Sequence, residues 1–211
     1  MKIIGAVGLV IALFLIVYLP IFAVISALHL PKEAMIPAVI SGTSIVAVCA
    51  IEFIRRRRRL SLAEFGLRLA PFRYFAIAML ISTPLGILAA AGASQIHEPG
   101  PLQGLVLVPA LTWFYFGLAA PLQEEIIFRG LLQTVLTDRL QMSAVASWAG
   151  MFAVLVVGLL FAVIHLEVGP FTAASAFVLA LLAGEFRRRS ASIAPGVLCH
   201  AVFNLAAIIL I

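Results

Sequence analysis

Pro121-Leu122-Gln123-Glu124-Glu125-Ile126-Ile127-Phe128-Arg129-Gly130 sets three ionised side chains inside a run otherwise as apolar as lipid. A centrally placed Glu or Arg costs about 2.5 to 3.5 kcal/mol to insert, so three so close together need partners or a chemical task. On an α-helix Glu125 and Arg129 stand at i and i+4 and can neutralise each other. Glu124 projects about 100° away from Glu125, toward whatever other helices supply. Its carboxylate has no local partner and is the first candidate for function.

The surrounding chain decides the solvent. Of 211 residues 64% are hydrophobic and 11% charged, and the mean hydropathy is +1.20, which excludes an ordinary soluble domain. These values predict an all-α, polytopic transmembrane helix bundle whose first partner is the lipid bilayer. A net charge of +5 and a pI near 9.9 could suggest a nucleic-acid partner. The basic residues instead cluster in short loops between apolar runs, where they read as orientation signals, so no nucleic acid is expected. Cys49 and Cys199 both lie in apolar segments, which argues against a disulfide.

Seven spans are predicted. The first runs from Ile3 to Leu28, too long for a secretory h-region of about 7 to 15 residues. The second covers about Met35 to Ile54 and ends at the basic run Arg55 to Arg59, a headgroup anchor. Leu60 to Leu69 is expected to lie along the interface. The third span, about Tyr74 to Ser94, is expected to kink at Pro84 and Gly86. His97 and Glu98 precede Pro-Gly-Pro, which bars a helical metal motif, so both read as solvated loop residues. The fourth span extends from Leu105 to about Leu136, with bends at Pro109 and Pro121. The fifth runs from near Trp148 to His165, the sixth from Phe171 to about Gly184, and the seventh from about Ile193 to Ile211. Counting from a cytoplasmic N-terminus puts Lys2, Arg55 to Arg59, Arg68, Arg73, Arg139 and Arg187 to Arg189 on one side, with only Lys32 opposite. That is a positive-inside pattern. The chain thus divides into N-terminal spans, residues 1–104, with a basic cytoplasmic loop at 55–73, and a core at 105–211.

Three spans carry the informative polar groups: Glu124, Glu125 and Arg129 on the fourth, His165 on the fifth, His200 and Asn204 on the seventh. At about 1.5 Å per residue, Glu124 lies roughly 21 Å from Asp138, His165 about 25 Å from Trp148 and His200 about 16 Å from Arg189, so all fall within one hydrocarbon core. Each alone has a plain reading. A membrane His or Asn often hydrogen-bonds a neighbouring helix, Phe161 is a packing residue, and Glu185 forms a surface ion pair with Arg188 and Arg189. Cys199 points away from His200, which argues against a Cys-His nucleophile. The joint occurrence at one depth asks for more. A carboxylate and an imidazole can share a water and take its proton, as Glu124 and His165 could. A second imidazole and an amide, His200 and Asn204, can donate to an oxyanion. Alternatively Glu124, His165 and His200 are a His₂Glu set for a zinc ion. Asp138 is the only aspartate, and neither His-Glu-x-x-His nor Gly-x-Ser-Gly occurs, which excludes other routes to intramembrane proteolysis.

Glu124-Glu125-x-x-x-Arg129, Phe161-x-x-x-His165 and His200-x-x-x-Asn204, in that order on successive apolar segments, resemble the CAAX-protease and bacteriocin-processing (CPBP, or Abi) family, which includes the Ras-converting CAAX endopeptidase. The resemblance covers about Leu105 to Ile211 and extends to the basic approach Gly184 to Pro195. It implies an all-helical, multi-pass intramembrane endopeptidase in the cell membrane of a prokaryote, acting on a peptide or membrane-protein substrate. By the same resemblance Glu124 and His165 would activate water, and His200 and Asn204 would hold the oxyanion. Glu125, Arg129 and Phe161 would support the site, with no metal or other cofactor. Bacterial members are also linked to bacteriocin immunity, so a non-proteolytic immunity factor or membrane scaffold is the alternative, and a proton-coupled carrier a third.

Overall fold

In a computed structural model of the chain, which describes residues 2–98, 113–142 and 146–209, every regular element is helical. Helices α1 (Lys2–Ala27) and α2 (Lys32–Arg58) are followed by a 3-10 turn (Leu62–Phe65) and α3 (Phe72–Gln95). Helix α4 is composite, with π-helical Tyr115–Ala119, α-helical Ala120–Glu125, π-helical Ile126–Gln133 and α-helical Thr134–Gln141 in unbroken succession. Helices α5 (Ala149–Val163), α6 (Pro170–Ser190) and α7 (Ala194–Ile209) complete the bundle. The expected helical membrane bundle is therefore what the chain forms. Four helical stretches, Ile3–Ala27, Pro37–Arg58, Phe72–Gln95 and Ala146–Val163, are long and apolar enough to cross a bilayer unaided. The expected start of the fourth span at Leu105, and the bend at Pro109, lie outside the described residues.

The surface is what a lipid-facing bundle requires. Leu80 and Leu88 stand 76% and 66% exposed with many other large apolar residues, far more apolar surface than a water-soluble monomer shows. Inside, Val10, Phe14 and Val17 of α1 and Ala47 and Ile51 of α2 pack on Ile127, Phe128 and Leu131 of α4, with Phe161 of α5 beside them. Small residues set the closest approaches. A Cβ on Gly86 would lie 2.5 Å from the Phe203 carbonyl, so this glycine lets α3 touch α7. Helix α3 runs on as one element through Pro84, and this contact falls where the kink is expected.

At the arginine-rich end, side chains lace the helices together. Arg58 lies 3.6 Å from Asp138, Arg187 donates to the Glu64 carbonyl at 2.7 Å, and the Tyr74 hydroxyl donates to the Arg189 carbonyl at 3.2 Å. Helices α2 and α6 run several residues beyond their expected ends because Glu52 accepts from Arg55 and Arg56 and Glu185 accepts from Arg188 and Arg189, and arginines in a last turn also suit the helix dipole. The segment Leu60 to Leu69 does not simply lie along the interface. Phe65 is fully buried in the core near Ile51, and Gly66, at φ 79°, makes a left-handed turn where a Cβ would strike Arg187.

Glu98 corrects a second expectation. Its half-buried carboxylate is not a free loop group but accepts from the Phe171 N–H at 2.7 Å, the Thr172 N–H at 2.9 Å and the Thr172 hydroxyl at 2.9 Å, capping the start of α6 from a loop 73 residues upstream. Those N–H groups belong to the first turn and have no intrahelical acceptor. Partial burial opposes ionisation, but the three donors outweigh it and hold the carboxyl below its ordinary value of 4.5. A depressed folded-state value means that the cap stabilises above the ordinary value and is lost as pH falls through the depressed one. Glu98→Gln should therefore lower the thermal midpoint at neutral pH, with the difference from wild type shrinking below about pH 4, as read by thermal unfolding in detergent across that range.

Candidate active site

The sequence places Pro121 without an amide hydrogen in α4, so the carbonyl four residues earlier loses its α-helical donor. The helix is π-wound just before it, over Tyr115–Ala119, then regains α geometry over Ala120–Glu125, the turn that carries both glutamates. Inserted π turns of this kind often mark functional positions. Below the glutamates, Arg129 donates to the Ala180 carbonyl at 3.0 Å and Gln133 to the Gly184 carbonyl at 3.0 Å, two rungs that bind α4 to α6. Ala180, Ala183 and Gly184 make that side of α6 low enough for the rungs to reach.

Glu125 is fully buried and meets Arg129, itself 1% exposed, at 2.9 Å, as the i, i+4 spacing predicts. The guanidinium also lies 5.0 Å from the ring centre of Phe161 and 5.9 Å from that of Phe128. Glu124 is 7% exposed, and its Oε2 has no hydrogen-bond partner within the protein. What lies opposite the two carboxylates is a single ring. His200 reaches both: its Nε2 stands 3.7 Å from Glu124 Oε2 and its Nδ1 3.5 Å from Glu125 Oε1. One imidazole from α7 thus spans two adjacent carboxylates from α4. With Arg129 the cluster has formal charge −1 if that ring is neutral and zero if it is an imidazolium. The nearest imidazole to Glu124 in this arrangement is His200, whereas the sequence pairs Glu124 with His165.

His165 follows the last turn of α5, where carbonyls run out of intrahelical donors. Its Nδ1 lies 2.8 Å from one of them, that of Phe161. A carbonyl can only accept, so Nδ1 carries the hydrogen, and in the neutral ring Nε2 keeps its lone pair. Phe161 is fully buried and organises the neighbourhood, with ring centres 4.6 Å from His165, 5.7 Å from His200 and 4.9 Å from Phe128. Asn204 donates to the Phe116 carbonyl in the first π turn at 3.0 Å, which leaves the second hydrogen of its amide unused by that bond. His200 and Asn204 therefore face the same neighbour, α4, as their spacing predicts.

Glu124, Phe161, His165, His200 and Asn204 all line one cavity of about 840 Å³. Glu125 and Arg129 sit behind its wall. The cavity also draws on Tyr18 of α1, Val39 of α2 and Ala90 of α3, residues the sequence reading assigned only to passive spans. Tyr18 and Tyr115 each bury a hydroxyl without a hydrogen-bond partner. The signal for Tyr18 was present as a lone hydroxyl in an aliphatic run, but nothing in the sequence tied it to Glu124. For the zinc alternative, the donor set is not gathered: among the described residues no three His, Cys, Asp or Glu side chains converge closely enough to hold a metal ion.

Comparison with known proteins bears on the same region. Residues 106–206 match a family model described as Type II CAAX prenyl endopeptidase Rce1-like. That stretch contains all three motifs, and the resemblance drawn from them is borne out. No curated protein and no solved structure matches the chain.

Proposed function

We propose, proceeding from the membership of residues 106–206 in the Rce1-like family of CAAX endopeptidases, that the chain is an intramembrane endopeptidase whose water is activated by Glu124 and His165 and whose oxyanion is held by His200 and Asn204. The observation that carries this reading is the convergence of those four side chains, from α4, α5 and α7, on one cavity inside an otherwise apolar bundle. Glu124 Oε2 supplies a carboxylate oxygen free of protein donors, and His165 Nε2 supplies a fixed lone pair, the two acceptors that orient a water. The water oxygen bonds to the scissile carbonyl carbon as its proton passes to Glu124. The resulting oxyanion is stabilised by donors from His200 and Asn204. The C–N bond then breaks, and the proton held by Glu124 moves to the leaving amine. Phe161 keeps both imidazoles in place, and the Glu125–Arg129 pair anchors the glutamate turn. No metal or other cofactor takes part, the substrate is a peptide or membrane-protein segment, and the N-terminus faces the cytoplasm.

Purified protein should cleave members of a quenched fluorogenic peptide library, with His165→Ala lowering the rate by about 10²- to 10⁴-fold and a strong chelator leaving the wild type unchanged. Loss of activity on chelation, restored by zinc, would instead favour the metal alternative. A library left intact by wild type and variant alike would favour the immunity or scaffold role.

A further inference from the structure

The cavity is not central in the bundle. Of the 14 lysines and arginines, Lys2 and eleven arginines lie at one end, Arg129 is buried in α4, and Lys32 alone marks the start of α2 at the other. Contacts between Arg58 and Asp138, Arg187 and Glu64, and Tyr74 and Arg189 fix that arginine-rich end as one layer drawn from α2, α3, α4 and α6. Measured along each helix from this layer at about 1.5 Å per residue, the cavity lining runs from mid-bundle, where Leu179 lies about 12 Å from Arg187 and His200 about 16 Å from Arg189, toward the far end. Val39 lies about 24 Å from Arg55, Ala90 about 25 Å from Arg73, Glu124 about 22 Å from Arg139, and Thr172 about 22 Å from Arg187. In a hydrocarbon core about 30 Å thick, the outer part of the cavity, with Glu124, therefore sits within one or two helical turns of the opposite face. Two residues of that face, Glu98 before α4 and Glu167 between α5 and α6, line it as well.

A layer of eleven arginines against a single lysine is a strong orientation signal and keeps the arginine face in the cytoplasm. We infer that the cavity takes its substrate from the extracytoplasmic side, so that the bond cleaved lies in an exported or outward-exposed polypeptide segment and not in a cytoplasmic carboxy terminus. This rests on the reading of the cavity as a peptidase site. A cytoplasmic peptide would have to be drawn more than about 20 Å through the bundle. Its unpaired backbone groups would each cost several kcal/mol on the way. From the other face the same bond needs to descend only a turn or two.

The inference is tested by side-specific labelling. Cys199 is buried, so Cys49→Ala provides the background. Into it are placed Glu167→Cys, at the cavity rim, or Arg57→Cys, in the arginine layer, and spheroplasts are treated with a membrane-impermeant maleimide. The thiol at 167 should label in intact spheroplasts and the thiol at 57 only after permeabilisation. Labelling of 57 in intact spheroplasts, or of 167 only after lysis, overturns the inference. In the second arm, a fluorogenic peptide that purified wild type cleaves is added outside sealed spheroplasts. Cleavage without lysis, lost in His165→Ala, is expected, and cleavage only after lysis overturns the inference while leaving the peptidase reading intact. The expected labelling with no cleavage of any peptide, before or after lysis, removes the peptidase reading and this inference with it.

Discussion

Glu124→Gln is expected to lower kcat for peptide cleavage by about 10²- to 10⁴-fold with KM little changed. The size follows from the role, since an amide cannot take a proton from water, while an acceptor of the same shape still binds substrate equally well in ground and transition states. Stability should move much less. Glu124 Oε2 has no donor within the protein, so the substitution breaks no hydrogen bond there, and it removes one of two carboxylates that face the same ring. A purified variant with a wild-type thermal midpoint and no cleavage is thus the expected pair of readings. A variant that unfolds early but cleaves at the wild-type rate per folded molecule would make Glu124 a structural partner of His200.

Arg129→Met should do the reverse, costing about 3 to 5 kcal/mol of stability in detergent unfolding, a large part of a typical total of about 5 to 15 kcal/mol. Arg129 and Glu125 are 1% and 0% exposed, so water cannot solvate the carboxylate left behind. The guanidinium also holds the Ala180 carbonyl and lies against the Phe161 ring, so its removal loosens α4 from α6 and the floor of the site together. Replacing the pair, as Glu125→Leu with Arg129→Met, should recover most of the lost stability, because a buried ion pair and an apolar pair of similar volume are often close in free energy. Recovery of stability without recovery of cleavage would separate the pair's support of the fold from its support of the site.

The motif residues were legible because charge in lipid is costly and a sequence that keeps it must use it. Glu125 and Arg129 at i and i+4 needed only helix geometry to be paired. His200 and Asn204, one turn apart, needed only the same geometry to be given a common neighbour. What the sequence could not convey was anything settled by a partner distant in the chain. Helical angles separate Glu124 from Glu125 by about 100°, and nothing local reveals that one ring on α7 is wide enough to lie against both. Glu98 reads as a loop residue because helix caps are usually local, whereas here Gly169 stands at the cap position of α6 without a side chain to offer and the acceptor arrives from 73 residues away. Phe65 follows a run of arginines, and only the folded bundle displays the core it enters. Tyr18 faces the cavity for the same kind of reason, since which side of α1 turns inward depends on α2 and α4. The π turns of α4 are likewise hidden: Pro121 announces a defect in the ladder but not the winding that accommodates it.

The most direct test of the claim that Glu124 and His165 act on one water is a double-mutant cycle on kcat/KM with Glu124→Gln, His165→Ala and the double variant, each checked for a wild-type thermal midpoint. Residues that act as a unit are non-additive, so the double variant should be no slower than the slower single variant within about threefold. Multiplicative losses in the double variant would place the two side chains in separate steps and contradict a shared water.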